Sequence, residues 1–200
     1  MNMDNKISPD QWIGELGRKL ATVRCRVQDQ ATSFSAAASA CDALFLQVRE
    51  SRSRVWWIGN GGSAALCSHL AQDMMNKMGL RSQFCGDAAL MTCMANDFGY
   101  DQVYKRPLEC LGDEGDILVA VSSSGASENI LQGVRTARKK GMNLITLSGF
   151  DGENPLWCES SRIAFHVPSR WYGIVELAHE AILHSIIECH YLNRKGGGDG

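Results

Sequence analysis

Residues 55–77 read VWWIGNGGSAALCSHLAQDMMNK, and this stretch decides the fold. Its first four residues are apolar and predict a buried strand, residues 59–63 predict a glycine-rich turn, and the remainder has helical periodicity. A strand, a glycine-rich turn and a helix in this order let backbone N–H groups at the helix start face an anion. His69 and Asp73 follow four residues apart on one face of that helix. The stretch therefore suggests a site for a phosphorylated small molecule.

A second loop of this kind follows the apolar run at 116–121. It contains four serines around Gly125, directly before a helix predicted at 128–140. Hydroxyl and backbone N–H groups together can hold phosphate oxygens without a cation. The serines would otherwise only cap the helix, but four of them in six residues favour an anion site. The four are Ser122, Ser123, Ser124 and Ser127.

Apolar strands alternate with helices along the rest of the chain. This order predicts an α/β fold, a three-layer sandwich around a central parallel sheet. We expect a single domain with two helices within residues 1–52, a sheet core at 53–192 and a flexible tail at 193–200. Beyond the first strand, further strands are predicted at 82–85, 116–121, 143–147 and 162–167. The predicted helices are 9–29, 32–50, 88–95, 101–112, 128–140 and 174–192.

Composition excludes several classes of protein. With 44% hydrophobic and 21% charged residues, the 200-residue chain has an ordinary globular composition. Its net charge of −2 argues against nucleic acid as the main ligand. No apolar run is long enough for a membrane span, and the N-terminus lacks a signal-peptide core, so we expect a cytoplasmic protein without a membrane partner. The eight cysteines include no CxxC pair, which favours reduced thiols over a disulfide scaffold.

The closing helix carries ionisable groups on an otherwise apolar surface. Glu176, His179, Glu180 and His184 share one side of it, with His184 toward the edge. Ionisable groups in a buried helix must be paired, metal-bound or functional to offset desolvation. Together with the histidine and aspartate of the earlier helix, they would form a mixed nitrogen and oxygen site for a divalent ion such as zinc. A buried network of salt bridges and hydrogen bonds is the alternative.

Five motifs together resemble the sugar-isomerase (SIS) domain family. In chain order they are GNGGSAALCSH, ANDFGYD, SSSGASENI, LITLSGFDG and VELAHEAILH. Within that family the chain is most similar to the phosphoheptose isomerases, and the likeness covers about residues 30–190. The resemblance implies a flavodoxin-like parallel sheet and a homotetramer whose subunits share active sites. It also implies conversion of sedoheptulose 7-phosphate into D-glycero-D-manno-heptose 7-phosphate, for lipopolysaccharide, capsule or another surface polysaccharide.

The resemblance further implies roles for individual residues. The four serines would hold the sugar phosphate, while one zinc ion per subunit would bind between the two helices. Asp73 would be the base and His184 the acid of a reaction through an enediol, which needs both groups and a phosphate anchor. The sugar would be lined by Asn60, Gly61, Gly62, Ser63 and Glu176. The zinc ligands would be His69, Asp73, Glu176 and His184.

Four positions depart from the family pattern. Asp73 replaces a glutamate and is one methylene shorter, and Glu176 replaces a glutamine and adds a negative charge. Lys77 and Gly173 stand where arginine and aspartate are expected. Because both histidines and a carboxylate at position 73 are retained, the changes resemble a coordinated variant and leave the sugar undetermined.

Some interpretations stay open at this point. Asn96 and Asp97 end a predicted helix, where they would either cap it or contact ligand hydroxyls. A non-catalytic tetrameric scaffold, resembling the DnaA-initiator-associating protein, and a phosphosugar-sensing module are alternatives to an enzyme. The presence of His184 favours the enzyme, because that scaffold relative lacks the acid histidine of the closing helix.

Overall fold

One mixed sheet of seven strands organises residues 6–195, the part of the chain that the computed structural model describes. Two short turns also occur, a π-helical turn at Met74–Met78 and a 3-10 turn at Tyr100–Gln102. The strands are β1 Arg24–Val27, β2 Gln30–Thr32, β3 Arg54–Gly59, β4 Arg81–Phe84, β5 Ile117–Ser122, β6 Asn143–Gly149 and β7 Ile163–Val167. The α-helices of this range are α1 Pro9–Ala21, α2 Phe34–Ser51, α3 Gly62–Asp73, α4 Ala88–Phe98, α5 Lys105–Leu111, α6 Glu128–Lys139, α7 Pro155–Cys158 and α8 Tyr172–Lys195.

The sheet has the strand order β2-β1-β7-β6-β5-β3-β4. Its five parallel strands, numbered along the chain from β3, therefore lie in the order 2-1-3-4-5, which is the flavodoxin-like arrangement. The order reverses between β3 and β5, and ligands of such sheets bind outside the carboxyl ends of the strands at this point. The glycine-rich turn and the serine loop both begin there, so the predicted α/β class and parallel core are confirmed.

Two tryptophans of β3 show how the sheet separates two cores. Trp57 packs with α2, α3 and α8, whereas Trp56 packs on the opposite face with α4 to α7. Each indole N–H donates a 2.8 Å hydrogen bond inside its core, Trp57 to the Ser82 hydroxyl and Trp56 to the Asp116 carboxylate. Every residue of β5 is buried, as expected for a central strand that is covered on both faces.

The predicted helix at 9–29 was wrong beyond Ala21. The chain instead forms the β1–β2 hairpin, whose turn residues Gln28 and Asp29 have φ values of 50° and 62°. Since β1 pairs antiparallel with β7, the sheet is mixed rather than wholly parallel, and the segment before β3 is not only helical. Apolar and polar residues alternate along 23–27, VRCRV, and this two-residue period was the signal for a strand.

The other predicted elements are present, with boundaries that shift by a few residues. The closing helix begins at Tyr172 and continues to Lys195, and the short helix α7 was not predicted. Residues 193–195 of the predicted flexible tail belong to α8, and the remainder of that tail lies outside the described residues. All eight cysteines lie in the described range and are free thiols. No helix between residues 6 and 195 combines the length and hydropathy that a membrane crossing requires.

Candidate functional site

The glycine-rich turn depends on two glycines for its geometry. A Cβ on Gly59 would lie 2.7 Å from the Ser63 carbonyl oxygen, so the strand end and the helix start can approach this closely only at a glycine. Gly61 precedes α3 with φ 55° and ψ −124°, a conformation that other residues rarely adopt. The first N–H groups of α3 therefore begin at the carboxyl end of β3, as the sequence predicted.

Asn60 joins this turn to the start of α6. Its Nδ2 donates to Asn129 Oδ1 at 2.9 Å, and Asn129 Nδ2 donates back to Asn60 Oδ1 at 2.8 Å. The Tyr100 hydroxyl lies 3.4 Å from the same Asn60 oxygen. Sequence reasoning missed Asn129, since one asparagine in a helix carries no signal of a partner 69 residues away. The reciprocal amide pair therefore joins the glycine-rich turn to the start of α6.

The serine loop has hydroxyl groups that the protein itself does not use. Ser122 and Ser123 are each 5% exposed, and the buried Ser123 Oγ has no hydrogen-bond partner among the described residues. Ser127 is the N-cap residue of α6, yet its side chain makes no capping hydrogen bond and instead lies 3.4 Å from Ser122 Oγ. Ser124 Oγ accepts from the Ala126 N–H at 3.2 Å. Unused hydroxyls at a helix start are suited to phosphate oxygens.

Gly125 and Asn154 set the shape of this loop. Gly125 has φ 64°, and a Cβ there would lie 1.8 Å from Asn154 Oδ1. Asn154 is buried and donates through Nδ2 to the carbonyls of Gly149 and Asp151 at 3.0 and 2.7 Å. The loop therefore packs against a side chain that its own hydrogen bonds hold in place. Asn154 was not predicted as part of the site.

The structure brings His69 and Asp73, which lie one turn apart on α3, together with His184 of α8. Each offers one ligand atom, and these atoms lie within 4.8 Å of one another. His184 Nδ1 is 3.5 Å from Asp73 Oδ2, and the two imidazole rings are 5.2 Å apart. Asp73 is 6% exposed, while His69 is exposed and His184 is half-buried. Two imidazoles and one carboxylate form a donor set that zinc accepts, with a fourth position left open.

Lys77 also contacts the Asp73 carboxylate. Its ammonium lies 2.9 Å from Asp73 Oδ2 and forms a second ion pair with Glu188 of α8. Hydrogen bonds to Glu188 and then to Asp73 raise the pKa of Lys77 above its usual value. The π-helical turn places Lys77 in the first turn after α3, where it spans the two helices. One carboxylate oxygen therefore faces both the ammonium and the imidazole.

Glu176 lies outside the cluster of His69, Asp73 and His184. A Cβ on Gly62 would fall 2.5 Å from Glu176 Oε2, so this carboxyl group sits against the start of α3. Both residues line a cavity of about 260 Å³ that also reaches Glu180. Glu180 Oε1 is in turn 3.8 Å from His184 Nε2. This geometry fits the predicted sugar contact of Glu176, and its role as a metal ligand stays a prediction.

His179 is a structural neighbour of the serine loop and is fully buried. Its Nε2 donates to the Ser148 carbonyl at 3.0 Å, and its Nδ1 has no partner in the described range. Burial lowers the pKa of His179 to about 4. His166 contacts the same residue, with Nδ1 at 3.2 Å from Ser148 Oγ. The sequence placed His179 on the ionisable side of α8, but the residue faces the sheet as a neutral side chain.

Asn96 and Asp97 are exposed at the end of α4. Asn96 Nδ2 donates to Asp97 Oδ1 at 2.9 Å, and the Cys93 thiol lies 3.5 Å from Asp97 Oδ2. Ligand contact by these two residues stays a prediction.

The two parts of the site are separated along α3. Because an α-helix rises about 1.5 Å per residue, His69 is roughly 10 Å from Gly62 and the glycine-rich turn. The glycine-rich turn and the serine loop lie at the carboxyl edge of the sheet, and the histidine–aspartate cluster lies lower along its flank. A ligand that reaches both must be extended, or a second copy of the chain must supply one of the parts.

Comparison with known proteins places the chain in a family. A model of the SIS domain matches residues 17–149, which is more than half of the chain. A phosphoheptose isomerase from Cytophaga hutchinsonii is 33% identical over 80% of this chain and 85% of its own length. One from Yersinia pestis is 37% identical over 65% of this chain and 69% of its own. The solved phosphoheptose isomerase from Neisseria gonorrhoeae superposes with a TM-score of 0.79, at 26% identity, over 90% of this chain and 95% of that one.

Proposed function

Because this chain belongs to the SIS-domain family, we propose that it is a phosphosugar isomerase that interconverts an aldose phosphate and a ketose phosphate. One observation carries the proposal: His184 and Asp73 lie 3.5 Å apart in a chain that also has an uncharged anion-binding loop. The names of the similar proteins support a seven-carbon substrate. We therefore take sedoheptulose 7-phosphate as the substrate and D-glycero-D-manno-heptose 7-phosphate as the product.

The serine loop would anchor the phosphate. The Ser123 hydroxyl has no partner in the described part of the chain, and the Ser127 side chain makes no capping hydrogen bond at the start of α6, which supports phosphate binding there. No lysine or arginine takes part in this binding. Hydrogen bonds of fixed direction, rather than ion pairs, would therefore hold the phosphate. The anchor fixes one end of the sugar and leaves its carbonyl end to another group.

Asp73 and His184 would move the protons. The Asp73 carboxylate removes the proton from the carbon beside the carbonyl and returns it to the neighbouring carbon. His184 gives a proton to the carbonyl oxygen and recovers one from the adjacent hydroxyl, so that an enediol forms and collapses without net gain or loss of protons or electrons. Each group needs the other in place, because the carbon proton is removed only as the oxygen is protonated.

A divalent metal ion fits the same residues. His69, Asp73 and His184 offer two nitrogens and one oxygen, a set that suits zinc, and we propose zinc as the bound ion. When bound, such an ion polarises a carbonyl oxygen and stabilises developing negative charge. The cluster residues hold their positions through side chains of α3 and α8, whose packing fixes the distance between them.

The separation within one subunit supports active sites that are shared between subunits. The cluster lies about 10 Å along α3 from the turn, and His69 is exposed to solvent. A homotetramer in which another copy covers the cluster would exclude water from the reaction and bring a second serine loop to it. The eight free thiols support a reducing compartment such as the cytoplasm, where heptose for surface polysaccharide would be made.

A turnover screen tests the activity. Purified protein with zinc supplied would be incubated with ketose phosphates of five, six and seven carbons, and aldose formation would be followed. We expect turnover to be fastest with sedoheptulose 7-phosphate and absent in Asp73→Asn. Phosphate binding without turnover of any of these sugars would contradict the enzyme and favour a sugar-phosphate-binding scaffold.

Mixing variants tests the shared site. Asp73→Asn alters only the cluster, and Ser123→Ala with Ser127→Ala alters only the serine loop. If one active site uses both parts from different subunits, coexpression of the two inactive variants regenerates intact sites and recovers activity. Light scattering gives the mass in parallel. A 22 kDa monomer that is fully active would contradict the tetramer.

A further inference from the structure

A cavity of about 450 Å³ lies away from the serine loop and from the histidine–aspartate cluster. It is formed where β6 and β7 end, between α1 and the start of α8. This is the carboxyl edge of the parallel strands, where α/β sheets bind ligands. Its lining includes Lys19, Arg24, His166, Arg170 and Trp171.

One cation of this cavity has no carboxylate partner. Lys19, Arg24 and Arg170 line the cavity together with Glu15. Lys19 pairs with Glu15 at 3.5 Å, and Arg24 pairs with Glu153 at 3.6 Å. Arg170 forms no ion pair with any of residues 6–195. An unpaired cation that faces a concave space attracts anions, because the surrounding low-dielectric protein focuses its field.

His166 adds a buried polar side chain to the wall. It is 1% exposed, and its Nδ1 lies 3.2 Å from the Ser148 hydroxyl, which the Asn154 amide also contacts at 3.2 Å. Burial, followed by the charge of Arg24, lowers the pKa of His166 to about 4, so the ring stays neutral at physiological pH.

The backbone at the cavity is constrained rather than loose. Phe150 has φ 60°, which is uncommon for a bulky residue, and its N–H donates to the Ser169 carbonyl at 2.9 Å. The Phe150 ring packs edge-on against Tyr172 at 4.7 Å. Trp171, 46% exposed, supplies an aromatic face at the rim. Strained residues that are held in place by their surroundings are found mainly at functional sites.

We propose that this cavity is a second binding site, for a small anion of the organic phosphate class that carries two or more negative charges. The unpaired Arg170, the two ion-paired cations of the same lining and an aromatic wall match such a ligand, and the volume lies in the range of small-molecule sites. The site is independent of the proposed isomerase activity, because it uses no residue of the serine loop or of the cluster.

The test uses inorganic phosphate as the probe and the indole N–H signal of Trp171 as the reporter. The signal is assigned in a nitrogen-15 spectrum by its loss in Trp171→Phe. Phosphate added to the full-length protein over the millimolar range should shift it saturably. Arg170→Glu should weaken this binding by about tenfold or more, since a charge-assisted hydrogen bond becomes a repulsion. Lys139→Glu, an equal change of charge on an exposed residue of α6, should leave the binding unchanged.

Other variants separate this site from the serine loop. Ser123→Ala with Ser127→Ala should keep the Trp171 response, because those residues lie outside the cavity. Loss of the response in that variant would show that only the serine loop binds phosphate and would overturn the proposal. An unmoved Trp171 signal in the wild type, or an unchanged affinity in Arg170→Glu, would do the same. If Arg170→Glu does not fold, Arg170→Gln takes its place, and an unchanged affinity there counts equally against the site.

Discussion

The serine loop and the histidine–aspartate cluster are built in opposite ways. Within residues 6–195, no charged side chain forms a hydrogen bond with the serine-loop hydroxyls, and the loop packs on a buried asparagine and contains a glycine with φ 64°. The cluster, by contrast, consists of charged and titratable side chains on two helices, and Lys77 ties them to Glu188. The first is fixed by backbone shape, and the second is held by side-chain ion pairs across a helix–helix contact.

The difference indicates where the protein tolerates change. A loop that binds through backbone and hydroxyl groups is specific for the geometry of a phosphate and insensitive to the identity of distant charges. A cluster of ion pairs can be retuned by one substitution, since each member alters the electrostatic field of the others. Of the four departures from the family pattern, Asp73 and Lys77 fall on the cluster. Gly173 and Glu176 instead line the cavity beside Gly62 at the start of α3.

The largest expected effect comes from breaking the cluster. Asp73→Asn should lower kcat by about 100- to 10,000-fold, because it removes the proposed base while keeping the shape of the side chain. KM for the sugar phosphate should change little, since the serine loop is intact. Steady-state kinetics with sedoheptulose 7-phosphate measure both constants.

Ser185→Ala is the matched control for this experiment, because Ser185 is exposed on α8 and its hydroxyl contacts only the Ile182 carbonyl, at 2.7 Å. It should keep full activity. If Asp73→Asn retains wild-type kcat, the cluster is not catalytic and the base must be sought elsewhere.

Breaking the serine loop should affect binding and stability instead. Gly125→Ala forces a Cβ to within 1.8 Å of Asn154 Oδ1 in a backbone conformation with φ 64°. We expect a loss of roughly 2–3 kcal/mol in the free energy of unfolding, together with weaker phosphate binding. Denaturant unfolding and phosphate titration measure the two effects.

Gly79→Ala separates backbone strain from steric overlap. Gly79 has a similar φ of 65°, but a Cβ there meets no atom within 4 Å. Its cost should be about 1 kcal/mol, with phosphate binding unchanged. Equal losses in both variants would show that the Asn154 contact does not shape the loop.

The contrast also explains what the sequence could predict. The serine loop and the glycine-rich turn are local: a strand, small polar residues and a helix follow one another along the chain, so residues 122–127 were identified without a structure. The parallel core was likewise predictable from apolar strands alternating with helices. The β1–β2 hairpin was missed because its strands have only four and three residues, which is too few to outweigh a helical pattern that continues from α1.

The cluster was only partly predictable, because it depends on which faces of α3 and α8 meet. Spacing predicted that His69 and Asp73 share a face of α3, and the family resemblance added His184, which the structure places beside them. Glu188 was missed, since nothing local links it to a lysine 111 positions earlier. Asn129 and Asn154 were missed because each acts on a loop elsewhere in the chain, Asn129 through Asn60 and Asn154 through its contact with Gly125, and amide side chains carry no periodic pattern.

Acid should lower the free energy of unfolding through the buried side chain of His179. In the folded protein the pKa of His179 is lowered to about 4, so this buried ring is neutral, while in the unfolded chain it titrates near 6.5. Below pH 6.5 the unfolded state therefore binds the proton that the folded state does not. Stability is fully present above pH 6.5 and falls as the pH is lowered toward 4, by on the order of 2 kcal/mol at pH 4.5. Denaturant midpoints of the metal-free protein across this range measure the loss.

His179→Gln identifies the group responsible. A glutamine amide can still donate to the Ser148 carbonyl, but it does not titrate, so the slope of stability against pH should flatten. His166, which also has a lowered pKa, should account for the slope that remains. A slope unchanged by His179→Gln would assign the acid sensitivity to other groups.

The smallest effect concerns the tuning of the cluster by Lys77. Its ammonium lies 2.9 Å from Asp73 Oδ2, the oxygen that also faces His184, so a cation bound by these residues would be repelled by it. Lys77→Met removes that charge with little change in length, and zinc affinity should rise by about tenfold, as expected for a residue next to a ligand. Lys77→Arg keeps the charge and should bind zinc as the wild type does. Calorimetric titration of zinc into dialysed protein measures this without reference to activity. Weaker binding in Lys77→Met would mean that the lysine holds Asp73 in its ligating position, and the cluster would then be as dependent on fixed geometry as the serine loop.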